Sequence, residues 1–282
     1  MIIFSDMDGT FLASDKSIPA EHEELLCKLD QLGIPFVPCT GRSQSSLPQA
    51  VLAHPCVTHA ICVNGATICT IDAQGKADVL KRNLLGHERA RAIYQQVCAD
   101  PRGIQLEGVN IHLFADGNIY CTLFDHARID EFSLGDTHTA QFLKTSRTPL
   151  DCEFADILNK ADNIERISLY VRTTDELPAY ANKLEQLDPT LSFVTSMGNN
   201  LEIADKDTSK GQALVWLCNE LGHDIATSYA FGDSNNDVSM LRAAGCGCAM
   251  HNADAHTKQA ADVILPFTND EGGISRYLLS VL

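Results

Sequence analysis

The chain has 282 residues and a formal net charge of −16, with 45% hydrophobic and 21% charged residues. Length and composition describe a globular protein large enough for two domains. The acidic balance, with no run of Lys or Arg, argues against a nucleic-acid partner, whose phosphates demand a basic face. A small phosphorylated substrate stays open, because one local cation can outweigh the global field.

In chain order, IIFS (2–5) reads as a strand. Residues 19–32 carry Leu25, Leu26, Leu29 and Leu32 at helical spacing and stop at Gly33. IPFVPC (34–39) is a second strand, 43–53 a second helix and HAICV (59–63) a third strand. Near-continuous apolar strands alternating with helices predict a parallel sheet covered on both faces. From about Val79 the pattern changes. A helix is predicted over 86–99, a hairpin around Ala115-Asp116-Gly117-Asn118, a strand at RISLYV (166–171), a helix over 175–187 and an antiparallel pair from LSFVTS and NLEIAD. After Asp205 the alternation returns: helix 209–221, strand YAFG, helix 237–244, strand GCGCAM, a short helix over 254–261 and strand DVILPF. These elements predict a parallel α/β core over 1–79 and 198–282, with an α+β module inserted over 80–197.

The eleven cysteines are scattered, and none forms a C-x-x-C pair. They sit in apolar runs, as reduced thiols of a cytosolic protein do. No basic stretch followed by an apolar one opens the chain, so a leader peptide is not expected. No apolar run approaches the roughly 20 residues of a spanning helix. Cys246-Gly-Cys248 with His251 fits no zinc spacing and reads as a buried strand.

Polar groups follow the strand ends of the core. Asp6-x-Asp8 follows IIFS, Thr40-Gly41-Arg42 follows IPFVPC, Asn64-Gly65 follows HAICV, and Gly232-Asp233-Ser234-Asn235-Asn236-Asp237 follows YAF. Taken singly these are turns and helix caps. Together they occupy the edge where open α/β sheets bind ligands. Asp233 to Asp237 is not a calcium loop, since its sixth position is Val238 and its twelfth Ala244. Asp6, Asp8, Asp233 and Asp237 cannot share a cleft without a cation, and a few hard oxygens suit Mg²⁺. Thr40-Gly41 at a helix start is an anion seat. Lys210 follows NLEIAD, which can return it to the same edge. Metal, lysine and donors around one point would stabilise a phosphoryl group in transfer.

Asp6-Met7-Asp8-Gly9-Thr10, Thr40-Gly41-Arg42, Ser209-Lys210-Gly211 and Gly232 to Asp237 resemble, in order and spacing, the four motifs of the haloacid dehalogenase superfamily. The insert after the second motif is similar to the cap of the Cof-type branch, subfamily IIB, on a Rossmann-like core. The resemblance implies Asp6 as nucleophile and Mg²⁺ ligand, and Asp8 as acid and base with its carbonyl on the metal. It implies Asp233 as a metal ligand and Asp237 as support for the metal shell or for Lys210. Thr40, Gly41, Lys210, Asn236 and the Met7 amide would hold phosphate, and the insert would act as a lid. Arg42 and Asn64 are expected to face the substrate. The implied activity is a Mg²⁺-dependent phosphomonoesterase for sugar phosphates, nucleotides or pyridoxal phosphate, working through an aspartyl-phosphate. A phosphomutase of the phosphomannomutase kind and a non-catalytic phosphometabolite binder are the alternatives. No membrane partner is expected; monomer and homodimer both stay open.

Overall fold

Ile2–Ser5 (β1) is buried along its whole length, as a strand flanked by neighbours and covered on both faces must be. Helix α1 (Ala20–Leu32) buries Leu25, Leu26 and Leu29 and ends on left-handed Gly33. Strand β2 (Phe36–Pro38) pairs in parallel with β1. The predicted helix over 43–53 is reduced to a 3₁₀ turn at Gln44–Ser46 and α2 (Gln49–Leu52). Pro48 separates them, since it keeps the residue before it out of helical geometry.

Strand β3 (His59–Cys62) keeps only part of the expected parallel arrangement. It forms one parallel bridge, Ile61 to Cys39 just past β2, and pairs antiparallel with β4 (Thr67–Ile71). Between them Val63, Asn64 and Gly65 all have positive φ, which reverses the chain within three residues. Strand β5 (Ala77–Arg82) completes a three-stranded antiparallel sheet that the sequence reading did not anticipate.

The structure is a computed structural model that describes residues 1–99 and 105–282. It divides into two compact units, 1–82 with 208–282, and 83–207. The breaks thus fall after Arg82 and Asp207, not after 79 and 197, because β5 stays in ladder with β4 to Arg82 and the segment before Asp207 belongs to the second unit's sheet.

In the second unit, helix α3 (His87–Ile93) runs into a π-helical turn at Tyr94–Cys98. Strands β6 (Val109–Ala115) and β7 (Asn118–Thr122) form the predicted hairpin. Its turn residues Asp116 and Gly117 have φ of 54° and 78°, the two left-handed positions of a type I′ turn. Next come α4 (Leu123–Ala127), α5 (Thr137–Ser146), β8 (Thr148–Leu150), α6 (Phe154–Lys160), β9 (Ile164–Val171), α7 (Leu177–Leu187), β10 (Leu191–Val194) and β11 (Asn200–Asp205). The six strands lie in the order β10-β11-β9-β6-β7-β8. One face of the central strands carries Ile111, Leu113, Ile167, Leu169, Leu201 and Ile203, packed with α3, α6 and α7 residues into a single apolar cluster. Period two then puts His112, Arg166, Ser168, Tyr170 and Glu202 on the other face.

The chain returns to the first unit through α8 (Lys210–Leu221), β12 (Ser228–Gly232), α9 (Val238–Ala243), β13 (Cys246–Ala249), α10 (Ala255–Ala260), β14 (Val263–Ile264) and α11 (Gly273–Val281), the last not predicted. The parallel sheet has the order β14-β13-β12-β1-β2. Among the described residues, no helix is long and apolar enough to cross a membrane.

Candidate active site

The candidate site lies wholly within the first unit, at the carboxyl ends of β1, β2 and β12. The Asp6 N–H bonds Phe231 O at 2.9 Å, carrying the β1–β12 ladder one residue beyond the strand. The chain then turns, with Phe11 N–H on Asp6 O and Leu12 N–H on Met7 O. Met7 is buried in the core, so its neighbours Asp6 and Asp8 project the other way. Gly9 has φ +78°, and a Cβ there would stand 2.6 Å from Asp233 Oδ2. Only glycine allows the first turn to approach the third acid this closely.

Lys210 is completely buried. Its Nζ donates to Asp6 Oδ1 and to Asp237 Oδ1, each at 2.6 Å. A lysine opening a helix opposes the helix dipole, and burial pulls its pKa down. Asp237 and Asp6 more than offset both, and the ammonium is held well above the usual lysine range. Asp237 takes the backbone N–H groups of Asp233 and Ser234 on Oδ2, at 2.9 and 3.0 Å. It therefore braces both Lys210 and the turn that carries Asp233. Gly232 makes room for it, since a Cβ there would lie 2.4 Å from Asp237 Cβ. Asp233 accepts from Thr10 Oγ1 at 2.7 Å and from Ser234 Oγ at 2.9 Å.

Carboxylate oxygens of Asp6, Asp233 and Asp237 lie within 4.8 Å of one another. Burial raises the Asp6 pKa well above the carboxylate range; Lys210 opposes this, and Asp237, Asp233 and Asp8 add to it. Burial and Asp237 likewise push Asp233 up to about 6. Three acids around one lysine are short of positive charge, and every donor is a hard oxygen. This set fits a divalent cation of the Mg²⁺ or Ca²⁺ type. Among the described residues it is the one such group; His251, the partner considered for Cys246 and Cys248, is exposed.

The Asp8 carboxylate stands outside that group. Arg42 grips it in a bidentate fork, Nε to Oδ2 and Nη2 to Oδ1, both 2.7 Å, and Lys16 Nζ meets Oδ1 at 2.8 Å. Burial alone would raise the Asp8 pKa, but Arg42 and Lys16 hold it well below the usual range. A third group surrounds Thr40. Cys39 N–H on Ser5 O and Thr40 N–H on Ile61 O place the 39–42 segment beside the end of β1. Thr40 Oγ1 accepts from Arg42 N–H, and Gly41 lies between the two. Asn64, left-handed at φ 53°, donates its N–H to Thr40 O at 3.0 Å. Asn236 Nδ2 donates to Asn64 Oδ1 at 3.2 Å.

The expected residues thus gather in three connected clusters: Asp6, Lys210, Asp233 and Asp237; Asp8 and Arg42; Thr40, Asn64 and Asn236. Sequence reasoning missed Lys16, in a short turn where its own φ is 70°. It also gave no role to Thr10 or Ser234, although both hydroxyls bond Asp233. An aspartate followed one residue later by a hydroxyl was the available signal for Ser234.

The haloacid dehalogenase-like hydrolase family model matches residues 3–278. A pyridoxal phosphate phosphatase of Escherichia coli K12 is 26% identical over 100% of this chain and 98% of its own. A Bacillus subtilis phosphatase is 29% identical over 100% and 99%. The structure of a haloacid dehalogenase-like hydrolase from B. subtilis superposes with a TM-score of 0.79, at 27% identity, over 100% of this chain and 99% of that one. The chain belongs to the haloacid dehalogenase-like hydrolases and is a phosphatase of the Cof type.

Proposed function

We propose that the protein is a Mg²⁺-dependent phosphomonoesterase acting on small phosphorylated metabolites, with sugar phosphates, nucleotides and pyridoxal phosphate as the candidate classes. The observation that carries this reading is the buried Lys210 between Asp6 and Asp237, with Asp233 closing an oxygen cluster short of positive charge. The full-length similarity to phosphatases, one of them acting on pyridoxal phosphate, supports it.

In this reading Asp6 is the nucleophile. Lys210 holds its Oδ1, so Oδ2 attacks phosphorus and forms an aspartyl-phosphate. The ester oxygen leaves with a proton from Asp8, whose carboxylate takes that proton from solvent when the negative charge of the bound phosphate raises its pKa against the pull of Arg42 and Lys16. Asp8 then takes a proton from water, which attacks phosphorus and releases inorganic phosphate and Asp6. Thr40, Gly41, Asn236 and the Met7 amide orient the phosphoryl oxygens, and Asn64 holds Asn236. Asp6, Asp233 and the Asp8 carbonyl would hold Mg²⁺, with Asp237 behind them. The bound ion supplies charge against the phosphoryl oxygens. Residues 83–207 are the cap of this scheme, and 1–82 with 208–282 the catalytic core.

The test is turnover of p-nitrophenyl phosphate by purified protein with Mg²⁺. Asp6→Asn is expected to lose about 10³-fold or more in kcat, and EDTA to abolish turnover until Mg²⁺ is restored. Equal turnover in Asp6→Asn removes the nucleophile assignment, and persistence in chelator removes the metal. Free phosphate as the product from a sugar phosphate, in place of an isomer, separates hydrolase from mutase.

A further inference from the structure

We infer that Arg42 and Lys16 are positioning residues for Asp8, and that Arg42 does not bind the phosphate or the substrate. The inference rests on the phosphatase reading above.

Asp8 leaves the turn after β1 with its side chain one-third exposed, and no strand or helix fixes its torsions. Arg42 fixes them. A bidentate guanidinium sets both the location and the plane of a carboxylate, because two parallel N–H···O bonds define a plane. Lys16 adds a third bond to the same Oδ1. Arg42 is in turn held by groups other than Asp8. Its Nη1 donates to Ser46 O at 3.2 Å, its N–H bonds Thr40 Oγ1, and its carbonyl accepts from Val63 N–H at 2.9 Å. The side chain is only 11% exposed. The Nε–Nη2 edge, the one shaped to fork a phosphate, is already closed on Asp8.

A positioning residue and a substrate-binding residue differ in which kinetic constant they move. Arg42→Ala is expected to lower kcat about 10- to 100-fold, the scale of an ångström-sized misplacement, with KM for p-nitrophenyl phosphate within about twofold. Arg42→Lys is expected to stay low, since an ammonium cannot reproduce the fork, while added guanidinium restores part of the Arg42→Ala turnover. Lys16→Ala, at an exposed pair, loses only about 2- to 5-fold, and less at high salt. In an Asp8→Asn background, Arg42→Ala is expected to cost nothing further, because the group it positions is gone. A raised KM at unchanged kcat, full activity of Arg42→Lys, or losses that multiply in the Asp8→Asn background overturns the assignment. Unchanged melting temperatures show that these readouts come from folded protein. If the unmodified protein turns over no phosphomonoester, the phosphatase reading itself fails, which is a different result from any of these.

Discussion

In the five-stranded parallel sheet the charged groups come off the ends of β1, β2 and β12. In the six-stranded sheet, antiparallel except for the parallel β7–β8 pair at one edge, they stand in rows across one face of the antiparallel strands. Parallel strands all finish at the same edge, so residues just past them converge on one point. Antiparallel strands finish at opposite edges, so a polar group finds company only sideways, through register. His112 faces Ser168, and Ser168 faces Glu202. One row along, Arg166 donates to Glu202 at 2.7 Å, and Arg147 reaches the Tyr170 hydroxyl. The second arrangement matches opposite charges locally. The first collects acids faster than it collects bases, and that imbalance makes it a place for a cation.

Lys210→Met is the hardest test of this contrast. It leaves the buried Asp6 and Asp237 without their shared ammonium, and is expected to cost about 3–5 kcal/mol of stability, read by urea denaturation without metal. Because the cluster is acid-rich, Mg²⁺ should recover part of that loss. A loss insensitive to Mg²⁺ would break the contrast.

Arg166→Met should cost a comparable or slightly smaller amount, since Glu202 keeps its bonds from Ser196 and Asn200. Here Mg²⁺ should change nothing. Adding Glu202→Gln should recover part of the loss, because the uncompensated buried charge is removed. A Mg²⁺ effect at this site would show that the two sheets do not differ in their need for a cation.

The smallest effect at neutral pH comes from His22, buried on α1 against Phe11, with its Nδ1 on Phe11 O at 2.7 Å. Burial lowers its pKa from 6.5 to about 4. Between these values the unfolded chain holds a proton that the folded chain refuses, so stability falls as pH drops through this window. Above 6.5 there is no effect; below 4 the full loss is about 3 kcal/mol. His22→Gln should remove that part of the slope in urea titrations from pH 7 to 4, leaving the slope from other groups.

The parallel core was legible because its strands are apolar throughout and its polar residues sit just past their ends. IIFS followed by Asp6 and Asp8 is a plain turn by itself, and reads as a strand entering a site once the polar groups after the other core strands are set beside it. The reversal after β3 was hidden by Val63, a β-branched residue at φ 51°, where such residues are rare. With that turn unseen, β4 and β5 had no place in the scheme. The final helix was masked by Gly272 and Gly273, which look like loop although Gly272 is the left-handed residue that starts it. Arg42 was visible as part of Thr40-Gly41-Arg42, but its grip on Asp8 joins segments whose approach depends on the Cys39–Ser5 bond, and spacing along the chain does not encode that approach. The pairing of Arg166 with Glu202 was equally hidden, because it follows from the register of β9 against β11.

Strand order has a further consequence for biosynthesis. β1 is flanked by β2 and β12, and the ribosome delivers β12 only after all of 83–207 has emerged. The second unit, whose strands are contiguous in the chain, can close as soon as it is made. β1 must meanwhile wait with one edge open and its two aspartates solvated. The acids become crowded only when Asp233 and Lys210 arrive, so the nascent protein avoids their mutual repulsion until the lysine that tempers it is present.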